Sequence, residues 1–209
     1  GYVESYSFLF LFLTAFLLAG VRVLEGTGKL WVAAAFFGAG LAFHLTAVFS
    51  GPALLYLALA APVRPARRRW LEVAGPPAAL FAVAVLLHVA EGYNAQWFRR
   101  EFLEAKNTRQ LWIPLGGGRG LFSVYHWKDL ANLALITAPA SLAAVAASLP
   151  ALRSRLGEPT VRFLSLQIAS VALCSLLLDR KLGGARDWDL FAAHVAGLAL
   201  LAAKLLPST

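Results

Sequence analysis

Leu30 to Val63 reads LWVAAAFFGAGLAFHLTAVFSGPALLYLALAAPV, a run that holds no Lys, Arg, Asp or Glu. As one helix its 34 residues would extend about 50 Å at about 1.5 Å per residue, too long for a single crossing of a hydrocarbon core of about 30 Å. It is therefore expected to fold back on itself. The break should fall between His44 and Pro52, because Gly51-Pro52 removes a backbone donor and disfavours helix at the residue before proline. Charge on the two flanks gives the same answer. Arg22 and Lys29 precede the run, and Arg64, Arg67, Arg68 and Arg69 follow it. Short Lys/Arg-rich loops stay in the cytoplasm, so both ends want one side of the membrane, which only a hairpin allows.

The rest of the chain fits this setting. Of its 209 residues 59% are hydrophobic and 14% charged, with a mean hydropathy of +0.67. Such a composition excludes a water-soluble globule and a disordered tail, since too few polar residues exist to cover a surface. The net charge of +8 would point to nucleic acid in a soluble chain. In a membrane chain it arises from basic cytoplasmic loops, so no nucleic-acid partner is expected. The single cysteine, Cys174, excludes an intrachain disulfide and a Cys-rich metal site. No methionine occurs, and the opening GYVESY is not a signal peptide. The expectation is the C-terminal piece of a longer protein.

Five further runs approach a span: Ser7 to Val23, Leu71 to Ala90, Trp127 to Leu149, Val161 to Leu178, and Leu190 to Leu206. With the hairpin they make an all-α polytopic bundle of about seven crossings, a single domain over residues 1–209. The N-terminus lies outside and the C-terminus inside. Arg153, Arg155, Arg162 and Lys204 fall on the cytoplasmic side with the flanks of the hairpin, so that side holds 10 basic and 3 acidic residues, against 9 and 8 outside. The expected location is the plasma (inner) membrane. The one long loop, residues 91–126, lies outside. Its aromatics Tyr93, Trp97, Phe98, Phe102 and Trp112 suggest an interfacial helix, with a helical-looking stretch over Gln96 to Lys106. Gly116 to Gly120 lacks the Lys-Ser/Thr and the strand context of a P-loop.

Ionisable groups near hydrocarbon are costly, so their positions carry the functional signal. Under this topology the unusual clusters all fall outside: Glu4 with Tyr6, His44, Tyr125 to Asp129 with Asn132, and Asp179 to Asp189. Arg180, Lys181 and Arg186 are cations that the positive-inside bias does not explain, and they suit a phosphate or pyrophosphate. Asp187 and Asp189 are candidate catalytic acids; the plainer alternative is that they cap and complement the N-terminus of the last helix while the cations pair with them. His126, Asp129 and Asn132 recur at three-residue spacing, which would put a polar stripe on one helix face toward the bundle interior. The plainer alternative for them is a helix-terminal acid and an interhelical hydrogen bond. His44 at the bend and Glu4 at the first helix are candidates that also have ordinary structural roles. His88 and His194 lie near span ends. His126 and Asp129 are too few ligands to define a metal site; no cofactor is fixed, and a divalent metal stays an open alternative.

Together GYVESY (1–6), FFGAGLAFHLTAVFSGPALLYL (36–57), VYHWKDLANLALITAP (124–139) and KLGGARDWDLFA (181–192) resemble the C-terminal membrane part of bacterial C-type glycosyltransferases. The resemblance covers most of the chain and rests on hydropathy layout plus these four segments. It implies a polytopic enzyme that takes a sugar from a polyprenyl-phosphate carrier on the outer face of the membrane. Such enzymes carry their catalytic acid in a first outer loop, which this chain is expected to start after, so no general base is assigned. Arg180, Lys181 and Arg186 would then hold the lipid phosphate, with His126, Asn132 and His44 toward sugar or acceptor. Asp129, Asp187, Asp189 and Glu4 remain candidates for chemistry. Two alternatives stand beside it. A transporter or flippase for a lipid or anionic solute would show half-helices, inverted repeats and charges near the midplane, and a structural membrane subunit would show none of these.

Overall fold

The computed structural model describes residues 2–61, 65–94, 96, 120–177 and 194–206. Every regular element among them is helical. The first, α1 (Tyr2–Leu24), ends where Gly26 takes φ +78, a left-handed conformation open to glycine. There the N–H groups of Thr27 and Gly28 both donate to the Arg22 carbonyl, at 2.9 and 2.8 Å. The chain reverses into α2 (Leu30–Phe43), which runs back along α1. Phe43 stacks on Phe8 and Phe12 with centroids 5.0 and 5.4 Å apart, so the end of α2 lies beside the early turns of α1.

The expected break then follows. His44 is extended, with φ −155 and ψ 129, and a 3-10 turn (Leu45–Ser50) leads into α3 (Gly51–Ala60), with Pro52 in its first turn where the missing N–H costs nothing. The return limb reaches back to Leu57, whose side chain stands near Gly20 of α1. Residues 30–61 thus form a hairpin with its bend at His44.

Its limbs are short. The 14 residues of α2 extend about 21 Å, less than the hydrocarbon thickness. Among the described residues three helices are long and apolar enough to cross a membrane: Ser7–Leu24 of α1, α4 (Ala66–Ala90) and α8 (Pro159–Leu177). A fourth span is possible if α5 (Val124–Thr137) and α6 (Pro139–Ala147) count as one, although they meet at 97°. These helices give the chain the make-up of a membrane protein. By helix length they amount to three or four spans, fewer than the seven crossings read from hydropathy.

Two boundaries differ from the sequence expectation. Trp127 to Leu149 is not one rod: Ala138, at φ −147 and ψ 47, precedes Pro139, and the proline ring forces that residue out of the helical region. After α6 the chain continues in α7 (Leu149–Arg155). Conversely α4 takes in Arg67, Arg68 and Arg69 and passes through Pro76 and Pro77 without ending.

The last helix, α9 (His194–Leu205), lies antiparallel to α8. Gly197 packs over Gln167 and Ile168, and Lys204 meets the opposite end of the bundle. There Lys204 Nζ is 3.4 Å from Glu25 Oε1, and Arg155 donates to the Lys204 carbonyl at 2.6 Å. Arg155 also grips both oxygens of Glu158, at 2.6 and 3.0 Å, which holds the Glu158 carboxyl below the usual carboxylate range.

One buried polar bond ties the hairpin to α8. Gln167 Nε2 donates to Ser50 Oγ at 2.8 Å, both residues fully enclosed, while Gln167 Oε1 meets no donor among the described residues. Ser50→Ala would leave the whole amide without a partner. It is expected to cost about 1–3 kcal/mol, whereas Ser50→Ala with Gln167→Leu, which removes both partners, should fall close to wild type. Thermal unfolding of the detergent-solubilised single and double variants checks this order.

Candidate functional site

The bundle has two polar ends, one carrying His44 and the other Lys204. Two packed groups define the His44 end. Leu9 and Leu13 of α1 meet Ala47 of the 3-10 turn and Val171 of α8. Leu133 of α5 meets Cys174 of α8 and Phe49. Because α8 runs toward this end and α9 runs away from it, Leu177 and His194 both belong to it.

Among the sequence candidates, these contacts place the bend that carries His44. Glu4 lies in the first turn of α1, with its side chain outside what the structure describes. His44 is half-buried at the bend. Its Nδ1 accepts the Thr46 N–H at 3.2 Å and lies 2.8 Å from Thr46 Oγ1, so the ring caps the 3-10 turn. His126 opens α5, where its backbone N–H donates to Ser123 Oγ at 3.1 Å. Its ring is buried beside Trp127 at 6.1 Å.

The expected inward stripe on α5 does not form as a unit. His126 and Leu133 face the bundle, while Asp129 and Asn132 are exposed. A three-residue step falls about 60° short of a full helical turn. Asp129 therefore sits on the flank of the His126 face and Asn132 further round. His88, near the end of α4, is tied by Nδ1 to the Ala84 carbonyl at 2.8 Å and lies against Tyr93.

Arg180, Lys181, Arg186, Asp187 and Asp189 lie outside the described residues, as do residues 97–119, which hold most of the expected interfacial helix and of the Gly116 to Gly120 segment. The segment 178–193 is joined at both ends, through Leu177 and His194, to the His44 end. Among the described residues no group of three His, Cys, Asp or Glu side chains is placed to hold a metal ion. No family model, curated protein or solved structure matches the chain.

Gln167 and Ser50 match no motif that would mark them as a pair in the sequence. The available signal was a lone amide inside the apolar run Val161 to Leu178, where a polar side chain needs a partner on another helix. Nothing local marked Ser50, 117 positions away, as that partner.

Proposed function

We propose that the chain is the membrane part of a glycosyltransferase that moves a sugar from a polyprenyl-phosphate donor at the extracytoplasmic face of the plasma membrane. In this proposal the His44 end is outside and the Lys204 end is cytoplasmic. The α2 limb, the return limb, the bent α5–α6 pair and the helices α1, α4, α8 and α9 would make seven passages between the two ends. The observation that carries it is the shared end. The bend at His44 lies there, Leu133 of α5 packs there on Cys174 and Phe49, and Leu177 and His194, the described neighbours of segment 178–193, belong to it. A donor phosphate approaching from the outer leaflet would be met by Arg180, Lys181 and Arg186 from that segment. They would stabilise the negative charge that grows on the departing polyprenyl phosphate.

The break between α5 and α6 favours the alternative, a transporter or flippase, because discontinuous helices build transport sites. The residues at this break are Thr137, Ala138 and Pro139, and the Thr137 hydroxyl is spent on the Leu133 carbonyl at 2.8 Å. No ionisable group marks the break, which supports the enzyme over the transporter. Arg186→Ala in the full-length protein is expected to reduce sugar transfer from a polyprenyl-phosphate donor about tenfold to a hundredfold, the value of one charge-assisted hydrogen bond. Transfer at the wild-type rate by a normally folded variant would remove the phosphate clamp. Movement of the intact lipid without bond cleavage would establish the transporter.

A further inference from the structure

The Lys204 end carries a feature that sugar transfer does not use. Between the last turns of α1 and α9 and the first turns of α8 lies a groove of about 220 Å³, lined by Val21, Thr160, Leu164, Leu200, Ala203 and Lys204. Small-molecule pockets usually enclose about 300–1,000 Å³ and offer several convergent polar groups. This groove is smaller. Its lining side chains are carbon except for the Thr160 hydroxyl and the Lys204 ammonium. Leu164 and Thr160 are one turn apart on α8, and Leu200 and Lys204 are one turn apart on α9. The apolar walls therefore run along the helix axes and end at a cation. That is the shape and polarity of a slot for an alkyl chain whose head group is an anion.

The charge at its mouth favours an anionic head. Lys204 Nζ faces Glu25 Oε1 across 3.4 Å, with side chains 36% and 46% exposed. A long, wet pair of this kind adds little and can be exchanged for a better-placed anion. Arg22, next to the lining residue Val21, is exposed in the last turn of α1. Arg155 is committed to Glu158 and to the Lys204 carbonyl, so it anchors the end of α9 and does not compete. Basic pockets between membrane helices are recognised sites for anionic head groups, each cation near the surface adding to the attraction.

We infer that this groove seats one acyl chain of an anionic phospholipid, its phosphate on Lys204 in place of Glu25. The site stands apart from the proposed transfer activity, at the opposite end of the bundle. Its test uses the delipidated full chain in detergent, titrated with phosphatidylglycerol, with phosphatidylcholine of the same acyl chains, and with inorganic phosphate. The expected result is a rise in melting temperature with phosphatidylglycerol alone. Lys204→Gln should weaken that response at least about fivefold, the effect of one cation at a membrane surface. Glu25→Gln should strengthen it by removing the competing carboxylate, which a merely structural role for the pair would not do. Ala203→Leu, which fills the groove, should abolish it. An equal response to phosphatidylcholine would overturn the site as a specific one. So would a full response in folded Lys204→Gln, or a response to inorganic phosphate that matches the lipid's.

Discussion

Replacing Gly38 by valine is expected to unseat α4 from α2 and lower the unfolding free energy by about 3 kcal/mol, the upper end of what overpacking costs. A Cβ at Gly38 would stand 2.6 Å from Pro77 Cα, and 3.2 Å from both Pro77 Cβ and Leu80 Cδ1. The nearest of these is a backbone atom, which cannot rotate out of the way. Close approach of two helices at a glycine is how membrane helices gain packing when lipid offers no hydrophobic drive for their association. The consequence is large because α4 has little else: Val73 is the one residue of that helix buried in the bundle. Gly75 is the internal control. A Cβ there meets nothing within 4 Å, so Gly75→Ala should be neutral or add up to about 1 kcal/mol. Thermal unfolding in detergent and proteolysis at the α4 boundaries read both variants. Wild-type behaviour of Gly38→Val would show that α4 does not sit on α2 at this point.

The second large effect is expected at Phe163. Its ring is fully buried and meets Phe16 edge-on at 5.7 Å, and Phe16 in turn meets Phe37 at 5.9 Å. One aromatic chain thereby joins α8 to α1 and α2. Phe163→Ala is expected to cost about 3–5 kcal/mol, mostly as an unfilled cavity among these three helices. The opposite error is available at the same contact. A Cβ on Gly20 would lie 2.5 Å from Phe163 Cζ and 2.7 Å from Cε1, so Gly20→Ala forces the ring aside. Combining Gly20→Ala with Phe163→Leu gives the added methyl room. The double variant should be more stable than the sum of the single losses by about 0.5–3 kcal/mol. Strict additivity would mean that the two residues do not touch.

The hairpin was legible because the run is too long for a single crossing and has arginines on both flanks; the rule that helix is disfavoured before proline did not place the turn, since Gly51 is helical at φ −55 and ψ −43 and the chain bends at His44. The same rule marks Ala138-Pro139, but a run of 23 apolar-rich residues from Trp127 to Leu149 has the length of a span, and length overrode the local signal. At Pro76-Pro77 the rule points the wrong way. The helix continues there, and Pro77 is the surface that Gly38 packs against. The phase of α5 was not readable from its polar residues. It is set by Leu133 against Phe49 and Cys174, contacts between elements far apart in sequence, so only His126 of the three-residue series turns inward. The Gln167–Ser50 bond and the Lys204 groove share this character: each is made by residues brought together only by the antiparallel return of the helices. Charge counting gives an expectation for the two sides of the membrane without any of those contacts, because loop charge acts through the membrane and not through packing.

The claim beneath the functional proposal is that the bend at His44, the start of α5 and the tethers of segment 178–193 share the extracytoplasmic end. Site-directed labelling tests it directly. With Cys174 replaced by alanine, single cysteines at Glu91 and Phe122 report the His44 end, and single cysteines at Arg68 and Gly157 report the Lys204 end; all four positions are exposed. A membrane-impermeant maleimide applied to intact cells should modify the first pair at once and the second pair only after the membrane is opened. Modification of Arg68→Cys and Phe122→Cys from the same side would contradict the account.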